Sequence, residues 1–293
     1  MPENANLFYR LGLIGYPLSH SLSPKIHTAA LEACGLKGDY SLFPTPPDDL
    51  QALDDLLGRV RAGELDGLNV TVPHKQNVIG FLDDLTPTAR AIGAVNTIHL
   101  RGEKLIGENT DAPAFLSDLN LFLSNRQSKI ANRQSSIVLG AGGSARAVVY
   151  ALLNDGWNVT IAARRIEQAQ QLAASFPNYE LRITQYDQFI ISTSLNASLH
   201  LSSFTLLVNT TPVGMTPNSD PSPLPENVTL PKDIMIYDLI YNPRETKLVH
   251  DARLQGLQAT TGLGMLIEQA ALSFEIWTGH NLPRNILYTS VVG

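Results

Sequence analysis

A glycine-rich segment lies between a β-type run and a helical run in the middle of the chain. Residues 136–139 are Ser-Ile-Val-Leu, and the next six are Gly140, Ala141, Gly142, Gly143, Ser144 and Ala145. This spacing matches the G-x-G-x-x-G/A pattern of dinucleotide-binding proteins. Gly140 would allow a tight turn, Gly142 would let the backbone approach a pyrophosphate, and Ala145 would let the following helix pack closely. The helix start would present free N–H groups to the phosphates, although an ordinary glycine-rich turn is the alternative, since the pattern alone is weakly specific.

The next β-type run ends on two arginines. Residues 158–165 read Asn-Val-Thr-Ile-Ala-Ala-Arg-Arg. In NAD-binding proteins this position usually carries Asp or Glu, which bonds the ribose 2′-hydroxyl and would repel a 2′-phosphate. Arg164 and Arg165 are instead suited to binding a phosphate. The sequence therefore favours NADP as the cofactor, and the alternative is a pair of solvated surface arginines.

Polar side chains also cluster in and after predicted strands in the first part of the chain. These residues are Ser21, Ser23, Asn69, Thr71, Lys75, Asn96 and Asp111. Parallel sheets collect ligands at the carboxyl ends of their strands, so these groups could converge on one cleft. Ser23 has a second explanation, because it precedes Pro24 and could be the N-cap of a helix.

Short β-type runs alternate with helical patterns, which predicts α/β units on largely parallel sheets. Strands are predicted at residues 10–15, 39–43, 67–71, 137–140, 158–162, 206–209 and 234–239, with a hairpin of 94–100 and 104–107. Helices are predicted from Pro24 and at residues 48–61, 112–122 and 265–278. Residues 124–136, 192–203 and 218–231 have the composition of loops or connections.

The composition excludes several classes of protein. Of 293 residues, 44% are hydrophobic and 16% charged, a globular balance. The net charge of −6 argues against general binding to nucleic acid or anionic membranes. Cys34 is the only cysteine, which excludes an intrachain disulfide and fits a reducing compartment. No metal-ligand spacing, secretory signal or long apolar run is present, so we expect a cytoplasmic enzyme without a metal.

Taken together, these segments resemble the shikimate dehydrogenase family. The resemblance runs from Ile14-Gly-Tyr-Pro17, through Asn209-Thr-Thr-Pro-Val-Gly-Met215 and Asp238-Leu-Ile-Tyr-Asn-Pro243, to Gly262-Leu-Gly-Met-Leu-Ile-Glu-Gln269. It implies an α/β substrate-binding domain at residues 1–111 and a Rossmann-type, doubly wound NADP-binding domain at 112–261. A helical segment at 262–293 would return to the first domain, with a cleft between the two halves. The implied activity is reversible NADPH-dependent reduction of 3-dehydroshikimate to shikimate in aromatic amino-acid biosynthesis, and a homodimer is compatible with it.

The resemblance also assigns roles to residues. Lys75 and Asp111 would be the catalytic pair, Ser21 and Ser23 would hold the substrate carboxylate, and the ring hydroxyls would contact Asn69, Thr71, Asn96, Asp111 and Gln269. Tyr241 would lie near the substrate, and the cofactor would also contact Thr210, Met215, Gly262 and Met265. The chain departs from the family at Thr28 and Ala112, where asparagine and glycine are common. It also has Ala163-Arg164-Arg165 in place of Asn-Arg-Thr, which exchanges an amide for a cation.

Three alternatives remain at the level of sequence. Lys75 and Asp111 could form an ordinary surface ion pair, which without the surrounding motifs would be the favoured interpretation. The enzyme could be a quinate/shikimate dehydrogenase with a broader pocket or NAD use. It could also be a ligand sensor without catalytic activity, although retention of both Lys75 and Asp111 counts against that.

Overall fold

The computed structural model describes residues 7–124, 134–185, 201–225 and 229–292. The chain divides into two compact units. The first consists of Met1–Ala114 with Ile267–Gly293, and the second of Phe115–Leu266. Residues 1–111 and 262–293, the two segments expected to pack together, therefore fall largely in the first unit.

The first unit contains a mixed sheet covered by helices. Its elements begin with β1 (Phe8–Gly15), α1 (Ser23–Ala33), β2 (Lys37–Pro44), α2 (Leu50–Arg61), β3 (Gly67–Val70), β4 (Asp84–Leu85), α3 (Pro87–Ile92), β5 (Thr97–Arg101), β6 (Lys104–Glu108) and the start of α4 (Asp111–Ser124). The strand order is β2-β1-β3-β5-β6-β4. β1 runs parallel to β2 and β3, whereas β5 is antiparallel to β3 and β6. The predicted hairpin is therefore correct, and its turn uses Gly102 at φ +62°.

Apolar spacing explains why α2 covers this sheet. Leu53, Leu57 and Val60 recur at helical intervals, are at most 1% exposed, and pack with Leu68 and Ile98 of the sheet. Asp49 caps the helix by accepting a hydrogen bond from the Ala52 N–H at 3.0 Å. The helix therefore begins two residues later than predicted.

The second unit contains a sheet in which every strand pair is parallel. Its elements are β7 (Ser135–Leu139), α5 (Gly143–Asn154), β8 (Asn158–Ala163), α6 (Ile166–Ala174), β9 (Arg182–Gln185), β10 (Leu206–Asn209), β11 (Met235–Asp238), α7 (Lys247–Leu254), β12 (Ala259–Thr261) and the start of α8 (Leu263–Thr278). The strand order is β12-β11-β10-β7-β8-β9. Along the chain, β7, β8 and β9 first extend the sheet to one side. β10, β11 and β12 then extend it from β7 to the other side. This is the doubly wound Rossmann order, and the predicted α/β class is confirmed.

The end of the chain packs within the first unit. α9 (Arg284–Val292) follows α8. Arg284 holds α9 against α8 through Glu268 at 2.9 Å and Glu275 at 2.6 Å. The Trp277 indole N–H donates to the Ile98 carbonyl at 3.0 Å. Gly67 is required beside it, because a Cβ at that position would overlap the indole ring.

Some local predictions were wrong. Ser23 is not an N-cap: Leu22 occupies that position without a side-chain cap, and Ser23 is the first helical residue. The predicted loop at 124–136 is too long, since Ser124 ends α4 and Ser135 begins β7. Its remaining part, 125–133, lies outside the described residues, as do 192–200 and 226–228 of the other two predicted connections. Leu201–Ser203 forms a 3-10 turn.

Within the described ranges, no helix combines the length and apolar character needed to span a lipid bilayer.

Candidate active site

Lys75 and Asp111 form a buried ion pair in the first unit. Lys75 follows β3 in a turn, and its carbonyl accepts a hydrogen bond from the Val95 N–H at 2.7 Å. Its Nζ lies 2.5 Å from Oδ2 of Asp111, the first residue of α4, and the two side chains are only 11% and 5% exposed. An ammonium has three N–H donors. Because Asp111 is its one partner among the described residues, two donors remain for an oxygen of a ligand.

The turn that carries Lys75 is fixed by its neighbour His74. His74 is fully buried, and its Nε2 lies 2.8 Å from the Thr45 carbonyl oxygen. A carbonyl can only accept, so Nε2 must carry the proton. The ring therefore anchors the backbone directly before Lys75.

Asn96 fixes the second oxygen of Asp111. Its Nδ2 donates to Asp111 Oδ1 at 2.9 Å and lies 3.4 Å from Gln269 Oε1 on α8. Each carboxylate oxygen of Asp111 thus has its own donor, and the start of α4 adds a favourable partial positive charge. Asn109, which is 1% exposed, caps this helix by accepting from the Ala112 N–H at 3.2 Å. The carboxylate is therefore held in one orientation.

Asn69 belongs to a buried polar cluster behind this pair. Its Oδ1 accepts a hydrogen bond from the Tyr40 hydroxyl at 2.8 Å, and its Nδ2 donates to Ser273 Oγ at 3.0 Å. Tyr40 in turn stacks on His27, with ring centroids 4.3 Å apart. Burial lowers the pKa of His27 to about 3, so this ring is neutral at neutral pH. The hydrogen bonds with Tyr40 and Ser273 therefore orient the Asn69 side chain.

Ser21, Ser23 and Thr71 lie near the carboxyl ends of β1 and β3. The Thr71 N–H bonds the Ile14 carbonyl at 2.8 Å, which holds these two strand ends side by side. Ser21 Oγ accepts a hydrogen bond from the Ser23 N–H at 3.2 Å. No described hydrogen bond connects these three side chains to Lys75 or Asp111. The structure therefore brings together Lys75, Asp111, Asn96 and Gln269 through their side chains, and Asn69 joins them by donating from Nδ2 to the Asn96 backbone carbonyl at 3.1 Å.

In the second unit, the glycine-rich segment joins β7 to α5. Gly140 has φ +111°, and a Cβ there would lie 2.6 Å from Thr210 Oγ1, so both the turn and the close approach require glycine. Gly142 is the N-cap of α5, and a Cβ on it would meet open space. The N–H groups of Gly143, Ser144 and Ala145 precede the first intrahelical bond, from the Arg146 N–H to the Gly142 carbonyl at 3.0 Å. This helix start fits a pyrophosphate.

The two arginines follow the neighbouring strand, β8. Arg164 and Arg165 are both exposed, and Arg165 is the N-cap of α6. No carboxylate of the described residues forms an ion pair with either guanidinium. Both cations are therefore available to an anionic ligand at the carboxyl end of the sheet.

A buried carboxylate fixes the loops after β10 and β11. Asp238 accepts hydrogen bonds from Asn209 Nδ2 at 2.9 Å, the Ile240 N–H at 3.1 Å and Thr246 Oγ1 at 2.7 Å. Thr210 follows Asn209 and donates from Oγ1 to the Leu139 carbonyl at 2.6 Å. Burial raises the pKa of Asp238 to about 6, although these hydrogen bonds favour the carboxylate.

The raised pKa of Asp238 predicts a specific pH dependence of stability. Between pH 4 and 6 the folded state retains a proton that the unfolded state releases, so the free energy of unfolding should fall as the pH rises. The contribution is about 3 kcal/mol. Urea unfolding across this range should show a correspondingly smaller decline in Asp238→Asn. The exposed Asp220→Asn should follow the wild type, and a wild-type decline in Asp238→Asn would contradict the assignment.

Four other predicted site residues also lie in the second unit. Tyr241 is half-buried and Met215 is exposed, both on loops that follow strands. Met265 is 7% exposed within α8. Gly262 is packed against the Leu239 backbone, where a Cβ would overlap it. In the ranges described, no group of three or more His, Cys, Asp or Glu side chains could hold a metal ion.

Comparisons with known proteins match this arrangement. Family models match residues 13–98 (shikimate dehydrogenase substrate binding domain), 123–200 (shikimate / quinate 5-dehydrogenase) and 262–291 (shikimate 5'-dehydrogenase C-terminal domain). Shikimate dehydrogenase (NADP(+)) of Salinibacter ruber is 39% identical over 286 residues, covering 95% of each chain. The chain belongs to the shikimate dehydrogenase family.

Solved structures of the shikimate dehydrogenase family extend the match to three dimensions. A shikimate dehydrogenase in complex with NADP+ is 33% identical with a TM-score of 0.85, covering 100% of this chain and 98% of the other. The enzyme of Thermus thermophilus, in complex with NADP(H) and shikimate, is 36% identical with a TM-score of 0.79, covering 96% and 98%. The family predicted from the sequence is confirmed.

Four polar residues of the site were not predicted from the sequence. Thr97, Thr110, Tyr40 and Ser273 all contact Asn69 or Asn96. Thr97 and Thr110 adjoin Asn96 and Asp111, so their position next to candidate residues was a usable signal. Tyr40 and Ser273 have no such neighbour, and only the tertiary fold shows their role.

Proposed function

We propose that this chain catalyses the reversible reduction of 3-dehydroshikimate to shikimate with NADPH, a step of aromatic amino-acid biosynthesis. This proposal rests mainly on the buried Lys75–Asp111 pair, in which two N–H donors of the ammonium have no hydrogen-bond partner among the described residues. A buried ammonium held by one carboxylate is suited to proton transfer at an oxygen. A surface ion pair, the alternative, would be exposed to solvent on both sides.

Lys75 is the acid–base group in this proposal. Its ammonium donates a proton to the oxygen of the substrate carbonyl during reduction and stabilises the negative charge that develops there. Asp111 orients Lys75 through Oδ2 and accepts from the neighbouring substrate hydroxyl. Asn96 holds Asp111 through Oδ1. NADP(H), when bound, supplies or accepts the hydride.

The second unit supplies the groups that would hold NADP(H). The backbone from Gly140 to Ala145 fits the pyrophosphate, because its turn is glycine-dependent and its helix start has free N–H groups. Arg164 and Arg165 would bind the 2′-phosphate. We assign Thr210, Met215, Gly262 and Met265 to the remaining cofactor contacts.

The substrate contacts are assigned to the first unit, with one exception. Ser21 and Ser23 would bind the carboxylate, and Asn69, Thr71, Asn96 and Gln269 the ring hydroxyls, whereas Tyr241 belongs to the second unit. In this proposal residues 1–111 form the substrate domain and 112–261 the NADP domain, with 262–293 completing the first.

We further propose a cytoplasmic homodimer. Sedimentation velocity would contradict the homodimer by showing a monomer at micromolar concentration.

A turnover assay with shikimate or quinate and with NADP or NAD tests the proposed function. We expect shikimate with NADP to give the highest kcat/KM. Comparable rates with quinate or NAD would favour the broader quinate/shikimate type. Binding of shikimate without turnover under any combination would identify a ligand sensor and overturn the proposal.

The hydroxyl pair gives a prediction about positioning. Ser21→Ala or Ser23→Ala should raise KM for shikimate, because each removes a hydrogen bond to the carboxylate. A smaller fall in kcat is also expected, since remote binding helps to orient the substrate. Ser23→Ala should not destabilise α1 through a lost cap, because Ser23 is not the cap. Steady-state kinetics and thermal unfolding measure both effects, and normal KM values in both variants would refute the carboxylate assignment.

A further inference from the structure

We infer that Thr110 is a positioning residue that fixes the side-chain amide of Asn96 and, through it, the carboxylate of Asp111. This inference rests on the proposed function and adds a residue to its machinery. Thr110 immediately precedes Asp111 and is 2% exposed. Its side chain reaches Asn96 but neither Lys75 nor Asp111 in the described hydrogen bonds.

The orientation of Asn96 matters because its amide has two opposite ends. With Nδ2 towards Asp111 Oδ1, as observed at 2.9 Å, the amide donates to the carboxylate. Turned by 180°, it would place Oδ1 against Asp111 Oδ1, and two acceptors would repel each other. Asn96 is 2% exposed, so water cannot compensate for a wrong orientation. Some other group must therefore select the observed orientation.

Thr110 makes that selection at both ends of the amide. Its backbone N–H donates to Asn96 Oδ1 at 2.8 Å, and its Oγ1 accepts from Asn96 Nδ2 at 2.8 Å. The Thr110 hydroxyl proton has acceptors of its own in the Gln269 carbonyl oxygen at 3.1 Å and in Ser273 Oγ at 3.2 Å. With the proton directed to either of these oxygens, Oγ1 presents a lone pair to Nδ2, which can only donate. Thr97 completes the arrangement by donating from Oγ1 to Asn96 Oδ1 at 3.1 Å.

Replacement of the Thr110 hydroxyl should leave the local fold intact. The hydrogen-bonded cap of α4 comes from Asn109, not from Thr110. The Gln269 carbonyl would keep its second donor, Ser273 Oγ at 2.9 Å. Valine has nearly the shape of threonine, so the buried volume is preserved. The main loss would be the acceptor for one hydrogen of Asn96 Nδ2, which leaves Gln269 Oε1 at 3.4 Å as its other side-chain acceptor beside Asp111. The Thr110 backbone N–H would still hold Oδ1, so the amide would keep its anchor at that end but lose a short bond at the end that faces Asp111.

The test compares Thr110→Val with Thr110→Ser. Valine keeps the volume and removes the hydroxyl, whereas serine keeps the hydroxyl and removes the methyl group. We expect Thr110→Val to lower kcat for shikimate oxidation by about 10- to 100-fold, with KM changed less, because misplacement of catalytic groups acts on the transition state. Thr110→Ser should keep kcat close to wild type. If Thr110 acted only through packing, Thr110→Ser would instead lower kcat more than Thr110→Val.

Two further variants separate the remaining explanations. Thr278→Val removes a hydroxyl of α8 that donates to the Phe274 carbonyl at 2.8 Å and accepts from the His280 N–H at 3.2 Å, and it should leave kcat unchanged. In an Asn96→Ala background, Thr110→Val should cause no further loss, since its effect passes through Asn96. Normal kcat in Thr110→Val, or an additional loss in the double variant, would overturn the inference. An inactive wild type would instead overturn the proposed function, so the two failures are distinguishable.

Discussion

Replacing Lys75 with alanine should lower kcat by about 10²- to 10⁴-fold, the range of a positioned acid–base group. Shikimate and NADP should still bind with nearly unchanged affinity, because only the transition state requires proton transfer and alkoxide stabilisation. Steady-state kinetics together with titration of shikimate binding measure the two quantities separately. Near-normal kcat would mean that Lys75 is not the proton donor.

Asp111 should behave differently from Lys75. Asp111→Asn should lower kcat and also weaken shikimate binding, since this carboxylate is assigned both the orientation of Lys75 and a substrate hydroxyl. The double variant should be little slower than Lys75→Ala, because residues that act as one unit are not additive. Independent, multiplying losses would indicate that the two groups act in separate steps.

The controls for this prediction address stability and charge. Removing Lys75 leaves a buried carboxylate without its cation, which can destabilise a protein by about 3–5 kcal/mol, so unfolding must be measured alongside kinetics. Lys247 forms an exposed pair with Asp251 at 2.9 Å. Lys247→Ala removes the same charge from a surface ion pair and should leave kcat unchanged. A comparable loss in both variants would point to a general effect of charge.

Local signals in the sequence predicted four of the six strands of the second unit, and missed the two short edge strands β9 and β12. The β10 strand has the predicted bounds, and the glycine-rich segment links β7 to α5 as expected. These elements are specified by neighbours in sequence: apolar strand runs, glycines at a turn and a helix start. Short-range patterns fix helix ends less well. Ser23 illustrates this, because its hydroxyl could cap α1 by sequence, yet the helix begins at Ser23 itself.

The polar arrangement of the candidate site depended on contacts that are distant in sequence. Lys75 and Asp111 are 36 positions apart, and their pairing was expected only from the family resemblance. Asn69 and Ser273 are 204 positions apart. No periodic pattern predicts that a serine in a mostly apolar helix faces a buried amide. Hydrogen-bond partners of this kind are selected by the tertiary fold, since each buried polar group needs a partner wherever the fold supplies one.

Replacing both Arg164 and Arg165 with alanine should raise KM for NADP by about 10²- to 10⁴-fold while leaving the weak NAD reaction nearly unchanged. Each charge-assisted contact contributes roughly 1.5–3 kcal/mol, and two additive contacts give this range. NAD lacks the 2′-phosphate, so removal of the two cations removes no contact to NAD. Steady-state kinetics at saturating shikimate give KM for NADP and for NAD, and these are compared between the variant and the wild type.

Arg182 offers a matched control for the loss of arginine from this sheet. It is exposed and begins β9, opposite Thr160 of β8, whereas Arg164 and Arg165 follow the carboxyl end of β8. Arg182 is level with Thr160, three residues before β8 ends at Ala163, so it lies below the strand end that carries the two arginines, and Arg182→Ala should leave KM for NADP unchanged. The single variants then assign the phosphate contact: a loss confined to Arg164→Ala would make Arg165 a solvated cation, despite its place in the motif. Equal losses with NADP and NAD in the double variant would mean that the arginines support the fold of the loop and do not read the 2′-phosphate.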